Sequence, residues 1–206
     1  TTVNTIRYLL YTKNIPTKSF AFKAKNFIIK DKNIEMLIID ESFIEATETE
    51  SIISDLNEKT NNIIVIKSFG KFFGLAGLRF GLVLSGKNLI CKFKKILGSW
   101  PVSKGSIKIV SKAIKDKKWI NQTKLKLRKK VKPLDDLMKI QNFKLVGGTN
   151  LFRLYSTPNS FLSQKSLAKL FIWSRIFSYS KNWLRLGIPS DNDFKKIKDS
   201  FKKLKT

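Results

Sequence analysis

The chain has 206 residues, 41 of them lysine or arginine against 15 aspartates and glutamates, for a formal net charge of +26. That length supports one good-sized core, or one large and one small lobe. A single cysteine, Cys91, excludes an intrachain disulfide and points to a reducing, cytoplasmic setting, and the absence of histidine removes His-based triads and His-containing zinc sites.

Residues 1–33 offer little periodicity beyond Tyr8-Leu9-Leu10-Tyr11, which reads as a short strand. From Ile34 a nearly continuous apolar run reaches Ile39 and ends abruptly in Asp40-Glu41-Ser42-Phe43, as a buried parallel strand ends at a crevice. A polar helix is expected over Glu50 to Lys59, then a second apolar strand over Asn62 to Lys67. The loop Ser68-Phe69-Gly70-Lys71 follows, with Gly74, Gly77 and Arg79 after it, and a strand is expected from Leu78 to Ser85. This alternation is α/β material.

Past Lys87-Asn88-Leu89-Ile90 a helix leads to the break Gly98-Ser99-Trp100-Pro101, and one long helical stretch is expected from Lys104 to Ile140, bent near Pro133. It carries Lys124-Leu125-Lys126-Leu127-Arg128-Lys129-Lys130, a run that a solvated face explains as well as a nucleic-acid contact does. The lysines run from Lys13 to Lys205 without forming one stripe, which argues against nucleic acid as the partner. No apolar stretch is long enough to span a bilayer.

The character changes around Val146-Gly147-Gly148-Thr149, and a small C-terminal lobe is placed over 132–206, after a larger one over 1–131. Its expected strands are Asn150 to Tyr155, Ile172 to Phe177 and Trp183 to Gly187, with a helix near Leu162 to Leu170. The last helix opens on a capping box, Ser190 with Asp193, and lines Phe194, Ile197, Phe201 and Leu204 along one face.

The chemistry concentrates at Lys71. One lysine stands three residues after a hydroxyl, Ser68, and eight before an arginine, Arg79, in a glycine-relieved turn. This is the layout of a pyridoxal phosphate (PLP) site, in which Lys71 attaches the cofactor and Ser68 and Arg79 reach its phosphate. Asp40, at the exit of the neighbouring strand, can hold the pyridine nitrogen protonated, although a lone aspartate after a strand also serves as a turn cap. Only six arginines occur among the basic residues, so Arg175 and Arg185 near the C-terminus stand where lysine does not substitute. A planar fork gripping a carboxylate is one reading of them; a snorkelling arginine beside a strand is the other.

These residues make the chain resemble the fold-type-I PLP enzymes, aminotransferase class I/II, over roughly residues 34 to 204. The words SFGKFFGLAGLRFG (Ser68 to Gly81), GSWPVSKGSIKI (Gly98 to Ile109), VGGTNLFRLY (Val146 to Tyr155) and NWLRLGIPSDNDF (Asn182 to Phe194) are most similar to the threonine-phosphate decarboxylases of cobalamin biosynthesis, with histidinol-phosphate aminotransferases next. The resemblance implies a PLP-binding large domain followed by a small α/β domain. It implies Lys71 and Asp40 as catalytic residues, and Arg185, helped by Arg175, on the substrate. It further implies a phosphorylated amino acid as substrate, L-threonine O-3-phosphate, a homodimer, and an upstream segment that precedes Thr1. Asn14-Ile15-Pro16-Thr17-Lys18 resembles an altered Asn-Pro-Thr-Gly turn with Ile15 at the asparagine's place, and Phe43 stands where many relatives have a tyrosine.

Overall fold

The computed structural model describes residues 8–12, 36–47, 50–58 and 62–203. The chain divides into two compact units, 1–117 and 118–206. In the first, β1 (Tyr8–Thr12), β2 (Met36–Asp40), β3 (Ile63–Ser68) and β4 (Gly81–Leu84) form one sheet in that order. β1, β2 and β3 run parallel, and β4 returns antiparallel to β3.

The apolar runs form strands because both faces of the sheet take them in. Leu37 and Ile39 alternate into the core from β2, while Ile63, Ile64 and Val65 are all buried on β3. Because β1 to β3 are parallel, their carboxyl ends share one edge. Asp40, the last residue of β2, is in register with Ile66, two residues before Ser68 ends β3. That edge is where α/β sheets place ligands.

Two expectations in this unit are corrected. Residues 50–58 do not form the expected helix: they carry a single 3-10 turn, Ile53–Asp55. Ile52 is drawn into the sheet core, 2 % exposed, beside Leu37, Ile39, Ile63 and Val65. Burying such a side chain is worth about 1.5–3 kcal/mol, against a few tenths of a kcal/mol per residue for helix propensity. The strand expected from Leu78 begins only at Gly81, since Ala76–Leu78 closes a 3-10 turn that ends on Arg79.

α1 (Lys87–Leu97) and α2 (Lys104–Lys115) complete the unit, α2 capped by Ser103, whose Oγ accepts the Ser106 N–H at 3.0 Å. The single long helix expected from Lys104 is interrupted at Asp116 (φ −77°, ψ 74°), and α3 (Lys117–Ile140) runs through Pro133 as one element. The two units divide beside the Asp116 break.

The second unit is an antiparallel sheet of β5 (Lys144–Gly148), β6 (Phe152–Ser156), β7 (Arg175–Phe177) and β8 (Ser180–Gly187), in the order β5-β6-β8-β7. With it go α4 (Ser160–Lys169) and α5 (Asp191–Lys203). Leu134, Leu137 and Met138 of α3 pack with Tyr155, Leu184, Leu186 and Phe201 to form its core, and Phe194 and Ile197 lie against it. The Ser190 hydroxyl accepts the Asp193 N–H at 3.1 Å, the N-cap half of the expected capping box, while the Asp193 carboxylate accepts the Ser190 hydroxyl at 2.7 Å in place of its backbone N–H. Leu204 lies outside the described residues. Among the described residues, no helix is long and apolar enough to cross a membrane.

Candidate active site

Phe69 and Phe72 organise the loop after β3. Both are buried, and Phe69 also meets the Phe73 and Phe80 rings at 5.2 and 5.6 Å between centroids. With its aromatic neighbours turned inward, Lys71 is left exposed. The loop closes through two backbone bonds, Gly74 N–H to the Lys71 carbonyl (3.1 Å) and Leu75 N–H to the Phe69 carbonyl (2.9 Å). Gly70 is favoured by proximity, since a Cβ there would stand a tight 3.2 Å from the Ala76 Cα, and Gly74 by its φ of +68°.

Ser68, Gly70, Lys71, Ala76, Arg79 and Gly81 line one cleft of ≈ 270 Å³. The Ser68 oxygen accepts the Gly70 N–H at 3.3 Å, which leaves its proton free to donate. Arg79 adopts left-handed backbone (φ 50°, ψ 45°), a conformation that costs a non-glycine residue about 1–3 kcal/mol and gathers at functional sites. Its guanidinium is exposed and makes one long contact, 3.5 Å to the Ala76 carbonyl. The structure thus brings a hydroxyl, an amine and a guanidinium to one concave surface.

Asp40 is half-buried and lies outside the wall of that cleft. Its Oδ1 accepts the Ser42 N–H at 2.8 Å, an Asx turn that fixes the strand exit and leaves Oδ2 available. The turn brings Phe43 round so that the Lys71 ammonium lies over its ring, 5.7 Å from the centroid. Asp40 and Lys71 are therefore linked through the segment 40–43. Residues 14–18 lie outside the described residues.

Sequence reasoning missed the groups beneath this surface. Glu41 is 1 % exposed: its carboxylate accepts the Ile52 N–H at 2.9 Å and the Ser51 hydroxyl at 2.5 Å. Glu45 pairs with Lys67, the residue before Ser68, both largely buried, and the second oxygen of Glu45 is buried without a hydrogen-bond partner. The available signal was a carboxylate inside an apolar stretch, Phe43-Ile44-Glu45-Ala46, and a lysine closing an otherwise apolar strand. Lys67→Met is expected to destabilise the protein by about 3 kcal/mol, because it strands a buried carboxylate. Lys67→Met with Glu45→Leu should recover most of that loss in urea unfolding; equal stability of both variants would show that the pair is not coupled.

In the second unit, Arg175 and Arg185 face each other directly across the β7–β8 pair. The Arg185 guanidinium lies over the Phe152 ring at 4.7 Å and that of Arg175 over Phe177 at 5.5 Å. Burial, then the Arg175 charge, lowers the Arg185 pKa from its ordinary value, with Tyr179 opposing. Like charges opposite one another destabilise an antiparallel pair, and among the described residues no carboxylate pairs with either. An anion placed between them removes that cost. Arg153, by contrast, is committed: its fork holds Asp135 at 3.0 and 2.8 Å, and the buried Tyr155 hydroxyl donates to the same carboxylate at 2.8 Å. Burial first, and Asp135 second, push the Tyr155 pKa far above its ordinary value.

The aminotransferase class I and II family profile matches residues 27–200. The chain is 37% identical over 158 residues to threonine-phosphate decarboxylase from Sinorhizobium sp, covering 76% of this chain and 46% of that protein. It is 31% identical over 91 residues to histidinol-phosphate aminotransferase 1 from Legionella pneumophila (strain Lens), covering 44% of this chain and 25% of that one. Among solved structures it superposes on the histidinol-phosphate aminotransferase from Clostridium acetobutylicum with a TM-score of 0.78 at 22% identity, covering 96% of this chain and 63% of that one. The chain spans about half the length of the decarboxylase it matches, or less. The matching profile, with the fold of both units, places the chain in the aminotransferase class I and II family, whose members are PLP-dependent enzymes.

Proposed function

We propose that the protein carrying this chain is a PLP-dependent decarboxylase of L-threonine O-3-phosphate, releasing CO2 and (R)-1-amino-2-propanol O-2-phosphate in cobalamin biosynthesis. The observation that carries this reading is the extent of the decarboxylase match, 76% of the chain, against 44% for the aminotransferase.

The residues present fit the cofactor. A phosphate needs convergent donors, and the Ser68 hydroxyl and Arg79 guanidinium line the same cleft as the Lys71 amine. PLP, when bound, supplies an electron sink for the pair left behind as the substrate carboxylate departs. Lys71 would be the amine that holds the cofactor, and the same amine, lining the cleft, would carry a proton to or from Cα of the substrate. Asp40, whose Oδ2 is not used by the Ser42 N–H, would hold a negative charge for the pyridine nitrogen. Arg185, with Arg175 opposite, binds the substrate's anionic groups and so orients the bond to be broken. A homodimer belongs to the same proposal; the exposed Ile96, Leu97 and Trp100 are apolar surface of the kind that assembly covers.

The test is product identity. With L-threonine O-3-phosphate and no keto acid, CO2 should be released over many turnovers. Amino transfer from histidinol phosphate, with no CO2 from threonine phosphate, would overturn the decarboxylase reading in favour of the aminotransferase one. Arg185→Lys keeps the charge and loses the fork, so KM for the phosphorylated substrate should rise by about 10- to 100-fold, or ~1.4–2.8 kcal/mol. An unchanged KM would leave Arg185 as a side chain packed on Phe152.

A further inference from the structure

We propose that Glu41 is a positioning residue for Asp40, holding that carboxylate at the edge of the cofactor; this rests on the PLP reading of the site. Glu41 is among the most deeply buried charged residues described, 1 % exposed, and it directly follows the residue assigned to the pyridine nitrogen. Burying a carboxyl group is costly unless its hydrogen bonds are satisfied. Here they tie three segments together.

The Glu41 N–H donates to the Ile66 carbonyl at 2.8 Å and so extends the β2–β3 ladder one residue beyond Asp40, on the strand that leads into Ser68 and Lys71. One carboxylate oxygen accepts the Ile52 N–H at 2.9 Å and the other the Ser51 hydroxyl at 2.5 Å. Ile52 is itself anchored in the core at 2 % exposure, so the clamp bears on a fixed point. Asp40 is thus held from its C-terminal side by a neighbour whose backbone and side chain are both immobilised. Its own Oδ1 is spent on the Ser42 N–H, so the direction of Oδ2 depends on the position of the 40–42 backbone. Adjacent Cα atoms are about 3.8 Å apart and joined by a planar peptide. A shift at Glu41 is therefore transmitted to Asp40 with little loss. The pair Lys67–Glu45 ties the far end of the same turn to β3.

A structural carboxylate that merely stabilises the fold and one that positions Asp40 make different predictions. Glu41→Leu removes both acceptors. If Glu41 acts through Asp40, the PLP dissociation constant should rise about tenfold and kcat should fall about tenfold in this variant, with KM little changed. In the Asp40→Asn background the same substitution should add less than about twofold to either loss, because the group being positioned is already gone. Glu41→Gln, which keeps an acceptor for Ile52 and offers a donor to Ser51, should restore most of the PLP affinity lost in Glu41→Leu.

The measurements are PLP affinity from the visible absorbance band, kcat and KM, made on the protein carrying this chain well below the melting temperature of each variant. Additive losses in the double variant would overturn the positioning role while leaving the PLP reading intact. Glu41→Leu with unaltered PLP affinity and kcat would overturn it as well. If Glu41→Leu does not fold, Ser51→Ala, which removes one of the two hydrogen bonds that hold the Glu41 carboxylate, is compared with Asp40→Asn and their double variant by the same additivity. A wild-type protein with no visible band on adding PLP would overturn the cofactor reading, and this proposal with it.

Discussion

Lys71→Ala should abolish borohydride-reducible attachment of PLP, the largest single-residue effect expected here. The protein contains 35 lysines, most of them solvated, so a lysine in general is no candidate. Lys71 is the one in the Ser68–Gly81 loop, and it shares a cleft with the Ser68 hydroxyl and the Arg79 guanidinium. Among the described residues that line this cleft, Lys71 is the one amine. The other lysines then act as an internal control. A reduced, pyridoxyl-labelled Lys71 is no longer a trypsin site, so the label is expected on the peptide Ser68 to Arg79. Label on any other lysine-centred peptide, or undiminished labelling of Lys71→Ala, would refute the assignment.

What the sequence shows and what it conceals divide by the distance over which the structure is made. Ser68, Lys71 and Arg79 lie within twelve residues of one another and their cleft closes through bonds inside the same loop, so spacing alone carries it. Asp40 is legible because a parallel strand of apolar residues ends where it stands. The capping box of α5 is legible for the same reason, its two partners being three residues apart.

Groups whose partners arrive from elsewhere are not legible in this way. Glu41 reads as a second surface acid until Ser51 and Ile52 fold onto it, and those two residues sit in a stretch whose pattern imitates a polar helix. Lys67 and Glu45 meet across 22 positions. β5 is not legible in the sequence because Lys144, Leu145 and Val146 remain exposed and Gly147-Gly148 resembles a turn; pairing with β6, through an irregularity between Leu145 and Gly147, makes it a strand. The opposition of Arg175 and Arg185 depends on the register of β7 with β8, which their spacing in sequence does not fix.

Asp40→Asn should weaken PLP binding by about tenfold, leave the protein loaded at saturating PLP, and slow turnover by about 10- to 100-fold in kcat. The figure follows from a charge-assisted hydrogen bond worth about 1.5–3 kcal/mol, at one factor of ten per 1.36 kcal/mol. Asparagine has nearly the same shape and keeps an oxygen for the Ser42 N–H, so the Asx turn that ends β2 survives the change. What is lost is the negative charge. Without it the pyridine nitrogen would hold its proton less firmly, and the cofactor would be a weaker electron sink. The loss should therefore appear in kcat more than in KM, since the role proposed for Asp40 is on the cofactor and not on the substrate's anionic groups. Cofactor content measured beside the kinetics separates a slow holoenzyme from an empty one. Near-normal turnover of a PLP-loaded Asp40→Asn protein would reduce Asp40 to the cap of a strand-end turn.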